Sequence, residues 1–166
     1  MEKKDLKPAA LFQYFEEICQ VPRPSKREEK IIAYLKAFGE KHNLETKIDD
    51  AGNVLIKKPA TKGMEDRNTV VLQSHIDMVC EKNNDVEHDF LTDPIQTYID
   101  GEWLRAKGTT LGADNGIGVA TQLAVLTDNT LKHGPIECLF TVDEETGLTG
   151  AFALKEGFIS GDILLN

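Results

Sequence analysis

Residues 70–77 read Val-Val-Leu-Gln-Ser-His-Ile-Asp, and this stretch decides the fold class of the chain. Its first five residues form a short apolar run, which predicts a buried strand. Continuous runs of this kind are typical of parallel sheets that are covered on both faces. Ile136–Val142 predicts a second such strand and Ile163–Leu165 a third.

Helices are predicted before and between these strands. Leu11–Cys19 and the segment around Ile31–Phe38 carry apolar residues at helical spacing. Ile117–Leu126 is apolar enough to be a buried helix, and a further helix is predicted from Ala151 to Glu156. Ser25-Lys-Arg-Glu28 matches a capping box and predicts the start of the second helix. Helices that alternate with short apolar strands predict an α/β domain with a largely parallel sheet flanked by helices.

Two further segments predict hairpins, and a long polar segment predicts a loop. Leu44–Ile48 and Val54–Lys57 flank one turn, and Ile95–Ile99 and Glu102–Ala106 flank the other. The second turn is Asp-Gly, a strong two-residue hairpin signal. Residues 76–96 are polar and aperiodic, and loops of that length in compact domains are often functional.

Composition narrows the class of protein. The 166 residues include 19 Lys and Arg against 28 Asp and Glu, a net charge of −9, which is consistent with a single acidic domain. This charge argues against general nucleic-acid binding and against an anionic membrane surface. We expect no transmembrane helix and no signal peptide. Three widely spaced cysteines, Cys19, Cys80 and Cys138, predict free thiols and a cytoplasmic protein.

Three polar clusters are candidates for chemistry, because ligands of open α/β sheets bind beyond the carboxyl ends of the strands. His75 and Asp77 directly follow the first strand. In extended chain these two side chains lie on one side, where a carboxylate can orient an imidazole that binds a metal. A hydrogen-bonded histidine at a strand end is the alternative interpretation.

The second cluster is the glycine-rich stretch Leu111–Gly118, which contains Asp114 just before a predicted helix. An ordinary N-cap aspartate is the alternative there. The third cluster, Asp143-Glu144-Glu145, follows the second strand. Three consecutive carboxylates repel one another unless a cation or hydrogen-bond donors lie among them, although a solvated acidic loop would also account for them. Together the three clusters supply an imidazole and several carboxylates, a ligand set for borderline metals.

The stretches Gln73–Cys80, Leu111–Gly116 and Asp143–Gly147 resemble the co-catalytic metallopeptidases of the M20 clan. Among these, the match is nearest to the aminoacyl-histidine (Xaa-His) dipeptidase branch, the PepD or carnosinase-like enzymes. The resemblance extends from about Leu6 to Asn166. It implies hydrolysis of Xaa-His dipeptides with two divalent ions, of which zinc fits best and manganese or cobalt would also fit.

The resemblance assigns a role to each residue of the three clusters. It implies that His75 ligates the first metal, that Asp114 bridges both metals and that Glu145 ligates the second. It implies that Asp77 orients His75, and that Glu144 is the general base that takes a proton from the metal-bridged water. It also implies a cis peptide bond after Asp114.

Members of the clan are much longer, with a lid or dimerisation domain and two further metal ligands. We therefore expect residues 1–166 to be the N-terminal part of a catalytic domain, truncated and inactive alone. We expect the truncation to leave apolar surface free for a homo-oligomer. Three alternatives stay open: a related M20 carboxypeptidase or deacylase, a non-catalytic module that binds a metal or a partner, and a nucleotide-binding domain. The absence of a phosphate-loop motif counts against the last.

Overall fold

The computed structural model describes residues 2–166. After a 3-10 turn at Lys3–Asp5, the helices are α1 (Ala9–Cys19), α2 (Glu29–Lys41), α3 (Ala113–Thr127) and α4 (Thr149–Phe152). The strands are β1 (Glu45–Ile48), β2 (Val54–Lys58), β3 (Val70–His75), β4 (Thr97–Asp100), β5 (Trp103–Ala106), β6 (Ile136–Thr141) and β7 (Ile163–Leu165).

Five strands form one sheet in the order β1-β2-β6-β3-β7. β3 pairs in parallel with both β6 and β7, whereas β1-β2 and β2-β6 are antiparallel. The predicted α/β fold with a mostly parallel central sheet is therefore confirmed. His75 lies opposite Thr141 in the β3-β6 register, so both strands end at the same edge.

The core lies mainly on one face of the sheet. Helices α1, α2 and α3 pack there against alternate residues of β2 and β6, including Ile56 and Phe140. On the other face, Leu55, Val71 and Leu139 form a smaller cluster that the segment 154–159 partly covers. All six residues of β6 are buried, as expected for a strand covered on both faces.

The structure corrects two of the predicted helix boundaries. Helix α2 begins at Glu29 rather than at Ser25, and Glu28 at its N-cap makes no capping bond with its side chain. The Ser25 hydroxyl donates instead to Asp77, and the Glu28 carboxylate accepts the N–H groups of Lys26 and Asp143. One local and two tertiary contacts therefore replace the predicted capping box. Helix α4 spans only Thr149–Phe152, so it begins before the predicted start at Ala151 and ends before Glu156.

Both predicted hairpins are present. Strands β1 and β2 join the main sheet, and β4 and β5 form a separate two-stranded sheet. Between β3 and β4, residues 76–96 contain no helix or strand longer than an isolated bridge. Within residues 2–166, no helix combines the length and the apolar character that a membrane crossing requires.

Candidate metal centre

His75 is the last residue of β3 and lies at the centre of the site. Its imidazole is buried, with Nδ1 3.2 Å from Asp77 Oδ1 and Nε2 3.0 Å from Asp114 Oδ1. Burial lowers the pKa of His75, but the hydrogen bonds to these two carboxylates outweigh it and raise the pKa above its usual value. When Nδ1 donates its proton to Asp77, the Nε2 lone pair faces Asp114, an arrangement that favours a cation between them.

Asp77 is a fully buried acceptor of four hydrogen bonds. Besides the imidazole, it accepts the Ser25 hydroxyl at 2.7 Å and the backbone N–H groups of Glu144 and Glu145 at 3.0 and 3.1 Å. Burial acts to raise the pKa of Asp77, but these donors hold it at about 2. Asp77 therefore stays ionised at neutral pH, and its carboxylate fixes both the ring of His75 and the loop after β6.

Asp114 enters the site from the start of α3. Its side chain is 85% exposed, and its backbone is not helical (φ −86°, ψ 115°). The peptide bond to Asn115 is cis, as the resemblance implies. The Asn115 side chain accepts the N–H of Gly118 at 3.2 Å, so the helix continues normally beyond this irregular first turn.

Arg23 holds the glycine-rich turn against the loop after β3. Its buried guanidinium donates to the carbonyls of Ile76 and Asp77 at 3.1 Å and to that of Gly112 at 2.5 Å. Gly112 has a φ of +69°, and a Cβ there would lie 2.5 Å from Arg23 Nη2, so both conformation and space require glycine.

The acidic residues after β6 make different contacts with their backbone and with their side chains. The N–H groups of residues 143–145 donate to the buried carboxylates of Glu28 and Asp77. The carboxylates of Glu144 and Glu145 lie near His75. Glu144 Oε2 lies 3.8 Å from His75 Nε2, and its side chain is 36% exposed. For Glu145, burial and the neighbouring carboxylates raise the pKa, and His75 acts in the opposite direction.

The donor set fits a divalent cation. Ligand atoms of His75, Asp114 and Glu145 all lie within 4.8 Å of one another. One imidazole nitrogen and two carboxylate oxygens are ligands that zinc, manganese and cobalt accept. The sequence prediction that the three polar clusters converge at one edge of the sheet therefore agrees with the geometry, while the roles of the individual residues stay proposals.

A cavity of about 360 Å³ opens beside this group. Its polar wall includes His75, Asp114 and Glu144, and its apolar wall includes Leu148 and Leu164. Cavities of this size hold small molecules, and polar groups on one wall can orient a ligand whose apolar part contacts the other.

The segment between α1 and α2 is a part of the site that no sequence pattern predicts. Arg23 and Ser25 contact the site loops directly, and Glu28 accepts the N–H of Asp143 at 3.0 Å. The spacing of Ser25 and Glu28 predicts a helix cap rather than contacts with the site. Arg23 gave no local signal, because its partners are backbone carbonyls more than 50 residues away.

The fold and the site define an α/β domain with a histidine and carboxylate centre of the kind that holds divalent cations. The family model for peptidase family M20/M25/M40 matches residues 71–163, more than half of the chain. The chain belongs to this family. The matched region contains all five residues that the resemblance singles out, His75, Asp77, Asp114, Glu144 and Glu145.

Several relatives are similar over nearly the whole chain. The cytosol non-specific dipeptidase of Escherichia coli (strain K12) is 52% identical over 99% of this chain and 34% of its own length. The crystal structure of aminoacylhistidine dipeptidase from Vibrio alginolyticus is 58% identical, with a TM-score of 0.97 over 100% of this chain and 34% of its own. Aminopeptidase PepT from Bacillus cereus is 29% identical with a TM-score of 0.78, over 93% of this chain and 42% of its own. The chain thus spans 34% of the two dipeptidases it resembles.

Proposed function

We propose that His75, Asp114 and Glu145 hold divalent cations in a dipeptidase, with Asp77 orienting His75 and Glu144 acting as general base. The observation that carries this proposal is the convergence of one imidazole and two carboxylates within 4.8 Å at the carboxyl edge of the sheet. Zinc is the proposed ion, with manganese or cobalt as alternatives, and two ions are proposed for the complete site.

The chemistry follows from the residues around the cavity. Bound cations lower the pKa of water and polarise a carbonyl oxygen. Glu144 is half-exposed at the cavity wall, where its carboxylate can accept a proton from the attacking water. The same carboxyl group can then return the proton to the amine of the leaving residue. Asp77 meanwhile keeps His75 in one tautomer and one orientation.

The proposed substrates are dipeptides, with Xaa-His dipeptides first among them. Two relatives that are more than 50% identical to this chain over the aligned residues are named as dipeptidases, and the cavity has the volume of a small-molecule site. A related carboxypeptidase or deacylase specificity is the alternative within the family. We further propose a cytoplasmic protein in which residues 1–166 are the N-terminal part of the catalytic domain, with a homo-oligomer as an additional proposal.

A second candidate function is a module that binds a metal without catalysis. It is favoured by one observation: within residues 2–166, the group around His75 brings together three ligand atoms. Two ions that share Asp114 would have only two of these protein ligands each, fewer than the three that a catalytic zinc normally has.

A hydrolysis assay separates these two candidates. Because residues 1–166 are expected to be inactive alone, a longer polypeptide that contains them is incubated with an Xaa-His dipeptide and zinc, and free histidine is measured by chromatography. Hydrolysis that stops with a chelator and resumes when zinc is added back is the result expected of the dipeptidase. Zinc binding without hydrolysis would support the module, and hydrolysis that persists in chelator would contradict both candidates.

A further inference from the structure

The segment between α1 and α2 contacts every loop of the candidate metal centre. Arg23 donates to the carbonyls of Asp77 and Gly112, which belong to the loops after β3 and before α3. Ser25 donates to the Asp77 carboxylate. Glu28 accepts the N–H of Asp143 in the loop after β6. None of these three side chains belongs to the proposed ligand set, so their contacts need a separate explanation.

The backbone of the loop after β6 is bound by two buried carboxylates. Three consecutive backbone N–H groups, those of residues 143, 144 and 145, each donate to a buried carboxylate. Glu28 accepts the first at 3.0 Å, and Asp77 accepts the second and third at 3.0 and 3.1 Å. A run of aligned N–H groups is a site for negative charge, and here two carboxylates of the protein itself fill it.

The conformation of this loop explains why such fixation is needed. Asp143 is a non-glycine residue with φ at +50°, in the left-handed region that L residues rarely adopt. Its side chain accepts the hydroxyls of Thr146 and Thr149, which ties the start of the loop to α4. The next two residues are Glu144 and Glu145, whose carboxylates must lie within about 0.5 Å of their working positions.

The buried carboxylates of Glu28, Asp77 and Asp143 approach within 4.8 Å of one another, which alone would suggest a second cation site. Each of them, however, already accepts backbone or hydroxyl donors. We therefore propose that Glu28 is a positioning residue: together with Arg23 and Ser25 it fixes the loop that carries Glu144 and Glu145 relative to His75 and Asp114. This inference rests on the proposed metal site.

Glu28→Met and Glu28→Gln form the matched pair that tests the inference. Methionine fills similar volume but accepts no hydrogen bond from Asp143, whereas the glutamine amide oxygen still can. Lys58→Met is the control for stability alone, because Lys58 caps the C-terminus of α3 through the carbonyls of Val125 and Asp128. That end of the helix lies about 20 Å from Asp114.

Zinc affinity is the first readout. It is measured by calorimetry under conditions in which the wild type and each variant are folded to the same extent. We expect Glu28→Met to weaken zinc binding about 10- to 100-fold, the range for residues that orient metal ligands. Glu28→Gln is expected to recover most of that loss, and Lys58→Met to bind like the wild type. Ser25→Ala, which removes only a hydroxyl, is expected to weaken zinc binding in the same direction should Glu28→Met not fold. Equal zinc affinity in wild type and Glu28→Met, or in wild type and Ser25→Ala, would overturn the inference.

Amide hydrogen exchange is the second readout and needs no metal. In Glu28→Met, exchange at residues 143–145 should accelerate about tenfold relative to the rest of the chain, as expected for loss of one hydrogen bond. Lys58→Met should show no such local acceleration. If the wild type binds no zinc, the proposed metal site fails, and exchange alone decides the positioning role. Unchanged exchange at residues 143–145 would overturn that role.

Discussion

Replacing Glu144 by glutamine is expected to reduce dipeptide hydrolysis about 10²- to 10⁴-fold, the usual contribution of a general acid and base. Glutamine has the shape of glutamate but cannot accept the proton of the attacking water at neutral pH. Zinc affinity should stay within about threefold of the wild type, because Glu144 stands outside the proposed ligand group of His75, Asp114 and Glu145. The N–H of residue 144 still donates to Asp77, so the loop keeps its position.

Turnover is measured on a longer polypeptide that contains residues 1–166 and hydrolyses dipeptides. Zinc binding is measured on the chain of residues 1–166 itself. Glu145→Gln is the matched control, since it alters the neighbouring side chain by the same atom. It should weaken zinc binding rather than spare it. Loss of zinc in Glu144→Gln with retention in Glu145→Gln would reverse the two proposed roles.

Replacing Asp77 by alanine is expected to lower the free energy of unfolding by about 3–5 kcal/mol, the cost of removing one partner from a buried ionic contact. The carboxylate is fully buried and accepts donors from three separate segments: the imidazole of His75, the hydroxyl of Ser25 and two consecutive N–H groups after β6. Alanine would leave these donors without an acceptor. Urea denaturation of the metal-free chain measures the change.

An exposed carboxylate in the same centre provides the contrast. Asp114 is 85% exposed, so Asp114→Ala should change the free energy of unfolding by less than about 1 kcal/mol. A similarly small loss of stability in Asp77→Ala would show that the four hydrogen bonds of Asp77 do not hold the three segments together.

Much of the fold can be predicted from local patterns. The apolar runs of β3 and β6 predict buried strands, because burial on both faces leaves a continuous apolar sequence. The apolar spacing in α1 and the apolar content of α3 predict the helices. The direction of the outer strands is harder to predict. Hairpin β1-β2 joins the sheet antiparallel to β6, a pairing that depends on contacts between residues about 80 positions apart.

The candidate site is predictable to the extent that it lies at strand ends. His75 is the last residue of β3 and Glu144 follows β6, so parallel pairing of these strands is enough to bring them to one edge. The spacing of Ser25 and Glu28 is that of a helix cap, but in the structure both side chains also bind partners far away in the sequence. Whether a serine caps its own helix or donates to a carboxylate 52 residues away is decided by the packed structure.

The central claim, that His75, Asp114 and Glu145 form a divalent-cation site, is tested most directly by calorimetric zinc titration of the chain beside Asp114→Ala. Asp66→Ala is the control, because Asp66 is an exposed aspartate outside the site. We predict saturable zinc binding in the wild type and in Asp66→Ala, and its loss in Asp114→Ala. No binding in the wild type, or equal binding in all three proteins, would contradict the claim.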